Sequence, residues 1–237
     1  MRRLTMEDNL RALALLFALL CACSFLVPAG GQRRCAVQTE AEPLQAVRTS
    51  EKKVALTFDA DTDAQQIASI LGTLRRCHVR ATFFVTGVWV QKYPEEVKKI
   101  VQQGNEIASH GDTHRDMAEM TPQQQREDLL VCSGKIKAAC GIEPHWFRPP
   151  YRKWNDSLLR TAHSLGLRVA DCSVQTDEWR NVSPQVICRQ AVSGVTPGGI
   201  LLLRCVGLNV AAALPRILQT LQNQGWQIDT LTQLTSN

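Results

Sequence analysis

The sequence predicts an α/β protein with a single domain built on a parallel sheet. Its length of 237 residues fits one domain, and its hydrophobic content of 44% is that of an ordinary globular protein. From residue 52 onward, short apolar runs alternate with segments of helical periodicity, the pattern of strands joined by helices in a parallel sheet. Seven strands in about 185 residues are too few for a regular eight-fold barrel. The sequence therefore favours a distorted (β/α)7-type barrel, with an open doubly wound sheet as the alternative.

The predicted strands are short runs rich in β-branched, aromatic and other apolar residues. The run 200–204 is apolar up to its last residue, as expected of a strand buried on both faces. In chain order the strands are predicted at 54–58, 81–86, 106–109, 145–148, 167–174, 200–204 and 226–231.

Capping residues and prolines predict where the helices between these strands begin. The segment 64–77 carries apolar residues at helical spacing, and Asp63 stands before it as the expected N-cap. Asp156 is the expected cap of a later helix. Proline is favoured in the first helical turn, and three more helices are predicted to open at Pro94, Pro122 and Pro184.

The first fifty residues differ from the rest. Arg2, Arg3 and Arg11 precede an uncharged apolar run over 12–31. A basic start followed by an apolar stretch is typical of a signal peptide. A retained membrane anchor is the second interpretation, and a lipoprotein with Cys23 as the lipidated residue is the third. We expect residues 1–31 to be the leader, 32–50 a linker and 51–237 the catalytic domain. The protein is therefore predicted to be extracytoplasmic, either secreted or membrane-anchored.

Charge and cysteine usage exclude other classes of protein. The net charge of +5 is mild, and no dense Lys/Arg block predicts a nucleic-acid partner. Nine cysteines are present, but none forms a C-x-x-C pair, which argues against a structural zinc ribbon.

Polar residues cluster where the predicted strands end, which is where active sites of parallel α/β folds lie. Asp59 and Asp61 follow the first strand at i and i+2, so one can bind a metal ion while the other acts as a base. His110 and His114 follow the third strand at i and i+4, a spacing that zinc ligands often use. An Asp/His/His set leaves positions open for water and substrate.

Four ordered motifs carry a family resemblance. They are T-F-D-x-D, H-x-x-x-H, R-P-P-Y and a late E-W, and with them residues 52–237 resemble the polysaccharide deacetylases, the NodB-like members of carbohydrate esterase family 4. The resemblance implies a distorted (β/α) barrel and a divalent metal ion, zinc by default, with cobalt, nickel or manganese as alternatives. It also implies an acetylated glycan as substrate.

The resemblance also implies roles for individual residues. Asp59 matches the catalytic base, and His110 and His114 match the metal ligands. Arg148 matches the residue that orients the base, and the backbone N–H of Tyr151 matches an oxyanion donor. In the fourth motif, Glu178 is expected to hold Arg148, and Trp179 is expected to wall the acetyl pocket. Leu202 matches the hydrophobic residue of the fifth motif.

Three positions depart from the family pattern. Ala60 stands where a metal-binding Asp is usual, and Asp61 is the expected substitute. Gln175 replaces the first acid of the fourth motif. Arg204 stands where a general-acid His is usual, and a guanidinium does not release its proton at ordinary pH.

Two functions follow from this mixture of matches and departures. The first is a metal-dependent hydrolase that removes acetyl groups from an N- or O-acetylated polysaccharide such as peptidoglycan or chitooligosaccharide. The second is a catalytically impaired relative that binds glycan or serves envelope or spore assembly.

Overall fold

The computed structural model describes residues 42–206 and 209–236. The predicted leader over 1–31 lies outside these residues. Within the described ranges, no helix is long and apolar enough to cross a membrane.

Eight parallel strands form the sheet in the described chain. In chain order they are β1 Lys53–Ala60, β2 Thr82–Val85, β3 Glu106–Ser109, β4 Trp146–Phe147, β5 Arg168–Val169, β6 Val174–Gln175, β7 Gly199–Arg204 and β8 Gln227–Asp229. In space they follow the order β5-β4-β3-β2-β1-β7-β6, and β8 pairs with the first part of β1.

The predicted distorted barrel is confirmed, but the predicted fifth strand over 167–174 divides into two. Its first part pairs with β4, where Ala170 N–H donates to Phe147 O at 2.9 Å. Its second part pairs with β7, where Ser173 N–H donates to Ile200 O at 3.1 Å. One extended segment therefore exchanges partners midway, and this exchange curls the sheet and distorts the barrel.

Residues 44–47, here called the strap, lie along the place where the fifth strand divides. Leu44 N–H donates to Val169 O at 2.9 Å, and Asp171 N–H donates to Leu44 O at 2.8 Å. At the other end, Val47 N–H donates to Gly198 O at 2.8 Å. Gly198 has φ +74°, and a Cβ there would lie 1.9 Å from Val47 O, so this approach requires glycine. The strap thus forms backbone hydrogen bonds with the β5 region and with the start of β7, two parts of the sheet that do not pair with each other.

The described helices are α1 Ile67–Arg76, α2 Gly87–Lys92, α3 Pro94–Gln102, α4 Pro122–Cys140, α5 Asp156–Ser164, α6 Pro184–Gly194, α7 Asn209–Asn223 and α8 Leu231–Thr235. Helices α1 to α7 pack against the outer face of the sheet, whereas α8 packs against the interior face. The prediction that Asp63 is the N-cap of α1 is wrong, because Gln66 is the residue before this helix. The Asp63 carboxylate instead accepts from Gln65 N–H in the preceding turn. Asn155, not Asp156, caps α5.

Strand alternation in β1 divides its side chains between two cores. Leu56 and Phe58 belong to the core shared with the helices, and Ala55 belongs to the barrel interior. Because successive side chains of a strand point to opposite faces, Thr57 and Asp59 share the interior face with Ala55. Thr57 satisfies its hydroxyl on Leu201 O of β7 at 2.9 Å. The alternation therefore brings the Asp59 carboxylate to the carboxyl end of the barrel.

Candidate active site

A cavity of about 750 Å³ opens at the carboxyl ends of the strands. Seven of the ten predicted site residues line it, while Arg148, Glu178 and Leu202 are buried beneath it. The lining residues are Asp59, Asp61, His110, His114, Pro149, Tyr151, Arg152, Gln175, Trp179 and Arg204.

The centre of the site is a buried ion pair between Asp59 and Arg148. Arg148 is 0% exposed, and its Nη1 donates to Asp59 Oδ1 at 2.8 Å. Its Nη2 donates to Thr57 Oγ1 and to Asp171 O, both at 3.0 Å. The guanidinium lies over the Phe84 ring at 4.1 Å. These contacts fix one oxygen of the carboxylate, and the prediction that Arg148 orients Asp59 fits this geometry.

The pKa of Asp59 reflects two opposing effects. Burial raises this pKa, but the charges of Arg148, His110 and Arg204 and the hydrogen bond from Arg148 outweigh burial and hold it below its usual value. Asp59 is therefore ionised at neutral pH although it is 4% exposed.

The two histidines stand side by side beyond this pair. His110 Nδ1 lies 2.7 Å from Arg148 O, and since a carbonyl can only accept, Nδ1 carries the proton. His110 Nε2, the other ring nitrogen, lies 3.8 Å from Asp59 Oδ2. His114 Nε2 lies 3.1 Å from Asp61 Oδ2, and the two rings are 5.0 Å apart. Burial and the nearby His110 lower the pKa of His114, and Asp61 opposes them.

The loop that carries both histidines is anchored to α4. The buried Asp128 carboxylate accepts from Asp112 N–H at 2.6 Å and from the Thr113 hydroxyl at 3.1 Å. Gly111, between His110 and Asp112, has φ +75°. A Cβ there would lie 2.9 Å from Asp128 Oδ1, so the glycine allows the anchor to come close.

The donors at this site are those that a divalent transition metal takes. Imidazole nitrogens and carboxylate oxygens suit zinc, and the hydrogen bond from His110 to Arg148 O is the kind that orients a ligating imidazole. Within residues 42–206 and 209–236, however, no group of three or more His, Cys, Asp or Glu side chains is gathered closely enough to hold an ion. The residue types suit a divalent metal ion, although these described side chains do not form a closed set of three ligands.

Glu178 binds Arg204, so the expectation that it holds Arg148 is wrong. Its Oε1 accepts from the Arg204 backbone N–H at 2.8 Å and from Arg204 Nη1 at 3.3 Å. Its other oxygen accepts from the Thr176 hydroxyl. Burial raises the pKa of Glu178, and these donors oppose the rise. The reason lies in register: Arg204 is at the end of β7 next to the turn 178–180, while the terminal nitrogens of Arg148 bond Asp59, Thr57 and Asp171.

Leu202 does not line the cavity. It is fully buried in the barrel interior with Ile200, two residues below Arg204 on the same face of β7. Arg204 is paired with Asp59 in the strand register and therefore stands beside the proposed base. Arg204 Nη2 also donates to Gln175 Oε1 at 3.3 Å.

Two exposed aromatic side chains stand at the rim. Tyr151 is 61% exposed and meets the His114 ring edge-on at 4.7 Å. Trp179 is 58% exposed, with the Arg180 guanidinium 5.0 Å from its ring. Arg152 also lines the cavity and is bound to Asp171. Arg152 is not among the predicted site residues, although it directly follows the R-P-P-Y motif.

Comparison with known proteins gives the family. The model of the family described as polysaccharide deacetylase matches residues 46–170. A chitooligosaccharide deacetylase from Bradyrhizobium is 30% identical, over 83% of this chain and 99% of its own length. The peptidoglycan-N-acetylglucosamine deacetylase PgdA of Listeria monocytogenes is also 30% identical, over 78% of this chain. The chain spans 39% of the length of that Listeria relative.

Solved structures show the same fold. A carbohydrate esterase family 4 pseudoenzyme from Bacillus anthracis superposes with a TM-score of 0.78 at 26% identity, covering 81% of this chain and 68% of its own. A mutant of that protein, described as having restored enzymatic activity, superposes with a TM-score of 0.78 at 28% identity, covering 81% of this chain and 70% of its own. The motifs, the distorted (β/α)7 barrel and these matches agree, and the chain belongs to the polysaccharide deacetylase family, the NodB-like members of carbohydrate esterase family 4.

Proposed function

We propose that this protein is a metal-dependent hydrolase that removes acetyl groups from an N- or O-acetylated polysaccharide, such as peptidoglycan or chitooligosaccharide, outside the cytoplasm. The observation that supports this most strongly is the buried Asp59–Arg148 pair, at 2.8 Å, opening onto a cavity that Asp61, His110 and His114 also line. In this proposal residues 1–31 export the domain, either as a cleaved signal peptide or as a leader retained as a membrane anchor through residues 12–31.

Asp59 is the base of the proposed reaction. Arg148 occupies Oδ1, so Oδ2 is the oxygen left to take a proton from water. Asp61, His110 and His114 would hold a divalent ion, with zinc the first candidate and cobalt, nickel or manganese the others. Such an ion, when bound, would acidify a water molecule and polarise the acetyl carbonyl. Water gives a proton to Asp59 as its oxygen adds to the acetyl carbon, and the bond from that carbon to the sugar nitrogen or oxygen then breaks. The departing sugar takes up a proton from water and leaves as the amine or alcohol, with acetate as the other product.

Positive and polar groups around Asp59 would stabilise the developing oxyanion. The backbone N–H of Tyr151 makes no hydrogen bond to another group of the described chain. It is therefore available to donate to an oxyanion, whose charge forms only in the transition state. Arg204 beside Asp59 adds positive charge, and Trp179 at the rim offers a flat apolar wall.

The alternative is a catalytically impaired relative that binds glycan or serves envelope or spore assembly. Arg204 favours it, because loss of a general acid typically slows a reaction by about 10²–10⁴-fold. The match to a Bacillus anthracis pseudoenzyme shows that the fold occurs without activity. An O-acetyl substrate would be affected less, because a sugar oxygen leaves more easily than an amine.

The test is acetate release by the full chain with added Zn²⁺ or Co²⁺. Chitooligosaccharide, peptidoglycan and acetylated xylan serve as substrates, and Asp59→Asn is the matched variant. Metal-dependent release that is lost in Asp59→Asn supports the hydrolase. Release that appears only in Arg204→His supports the impaired relative, and release unchanged by Asp59→Asn would contradict the role given to Asp59.

A further inference from the structure

The rim of the cavity contains a strained turn. Tyr151 has φ 56° and ψ 6°, and Arg152 follows with φ 60°. Left-handed backbone is unfavourable for residues that carry a Cβ, and two in succession are rare. Such strain persists where surrounding contacts hold it. The turn directly follows Arg148-Pro149-Pro150, so its conformation decides where the Tyr151 N–H points.

One ion pair holds the second residue of this turn. Arg152 donates through Nε to Asp171 Oδ1 and through Nη2 to Asp171 Oδ2 at 2.9 Å, a two-pronged contact. Asp171 is buried at 5% exposure and the Arg152 side chain is half-buried, so solvent screens this pair less than it screens a pair on the surface. The neighbouring cation Lys153 binds Asp116 instead, in a much more exposed pair.

Asp171 also contacts the rest of the proposed machinery. Its carbonyl accepts from Arg148 Nη2 at 3.0 Å, and Arg148 holds Asp59. Its N–H donates to Leu44 O of the strap at 2.8 Å. A single buried residue in the divided fifth strand therefore supports both the base and the rim turn.

We propose that Arg152 and Asp171 are positioning residues whose ion pair holds the left-handed Tyr151–Arg152 turn and so aims the Tyr151 N–H into the cavity. The inference rests on the proposed function for its activity readout alone. The strained geometry is independent of it.

The test compares Arg152→Ala with Arg152→Gly in the full chain. Both variants lose the ion pair, but alanine keeps the Cβ that opposes the left-handed turn, whereas glycine adopts this conformation freely. A left-handed residue with a Cβ costs roughly 1–2 kcal/mol, which corresponds to roughly 5- to 30-fold. We expect kcat/KM for acetate release to fall in the order wild type, Arg152→Gly, Arg152→Ala, with that gap between the variants. The loss should lie mainly in kcat, because an oxyanion donor acts in the transition state.

A second readout does not need activity. The N–H of residue 152 donates to Pro149 O at 3.0 Å and that of Lys153 to Pro150 O at 3.1 Å, and both bonds require the turn. Amide exchange measured by NMR should show these two N–H groups less protected in Arg152→Ala and Asp171→Asn than in Arg152→Gly. Lys153→Ala is the control and should keep wild-type kcat, since it removes a neighbouring cation but leaves the Arg152–Asp171 ion pair in place.

Three outcomes are possible. The proposal is supported if Arg152→Gly has both a higher kcat/KM and better-protected N–H groups at residues 152 and 153 than Arg152→Ala. An alanine variant that equals or exceeds the glycine variant in both would overturn it, because glycine is otherwise the more disruptive substitution. If the wild type releases no acetate, the proposed function fails, and the exchange comparison alone decides about the turn.

Discussion

Replacing Arg148 with methionine tests whether the buried ion pair organises the site. Arg148→Met keeps a long side chain but removes the guanidinium and its hydrogen bonds to Asp59, Thr57 and Asp171. Asp59 would then be a buried carboxylate without a cation bonded to it. Removing one partner of a buried pair costs about 3–5 kcal/mol, most of it the penalty of the remaining charge. We expect the free energy of unfolding at pH 7 to fall by about that amount.

Urea unfolding followed by circular dichroism, with a chelator present, measures this change. The matched variant is Arg148→Met combined with Asp59→Asn, which removes the stranded charge as well. We expect the double variant to recover roughly 2–3 kcal/mol relative to Arg148→Met. An Arg148→Met cost below about 1 kcal/mol, or no recovery in the double variant, would refute the view that Asp59 is a buried charge held by Arg148.

The pH dependence follows from the pKa of Asp59. In the wild type the pKa of Asp59 is lowered by folding. The stability that ionised Asp59 contributes is therefore present above the pKa of Asp59 in the unfolded chain and is lost as pH falls. In Arg148→Met, burial raises the pKa, so the variant gains stability relative to the wild type on acidification. The stability gap between the two proteins should therefore narrow as pH falls from 7 toward about 4.

Three further predictions concern positions away from this pair. Burial raises the pKa of Cys132 to about 12, so the stability that the neutral thiol contributes is complete below the pKa of the unfolded state and is lost as pH rises. Between pH 9 and 10.5 the free energy of unfolding of the wild type, measured by thermal unfolding, should fall by about 2 kcal/mol more than that of Cys132→Ala. Equal decreases in the two proteins would contradict this. Gln125 is fully buried; its amide nitrogen donates to Met117 O at 3.0 Å and its amide oxygen accepts from the Thr161 hydroxyl at 3.2 Å. Gln125→Met should lower the free energy of unfolding in urea by about 3 kcal/mol. A decrease below about 1 kcal/mol would contradict this. Asp128→Asn should weaken Zn²⁺ binding roughly tenfold in calorimetry, because it loosens the loop that carries His110 and His114. The neighbouring Glu127→Gln should leave the affinity unchanged. Equal affinities in the two variants would show that the Asp128 carboxylate does not act on the metal site.

The sequence predicted features that depend on local pattern. Asp59 at the end of β1, Asp61 just after it and the histidines after β3 lie at the carboxyl ends of their strands, and the alternation of β1 places Asp59 inside the barrel. These predictions succeeded because strand periodicity and the geometry of parallel sheets determine them.

Features that depend on choice of partner were missed. The division of the segment 167–174 arises because its two halves pair with different strands, and the sequence of this short segment does not show which strand each half pairs with. Glu178 could have paired with Arg148 or with Arg204, and the strand register decided for Arg204. Arg152 resembles a surface cation in sequence, and only the fold shows the buried carboxylate that it meets.

The strap has a consequence for how the chain reaches its final state. Leu44 pairs with Ala170 and Ala46 with Gly199, while the central strand β1 needs β8 from the end of the described chain. None of these contacts can form from neighbouring residues, so closing the barrel is a late and entropically costly event in folding. Until then the segment that contains Asp171 lacks its backbone partner from the strap. The base, the rim turn and the closed barrel should therefore be acquired together, and the chain should fold slowly for its size.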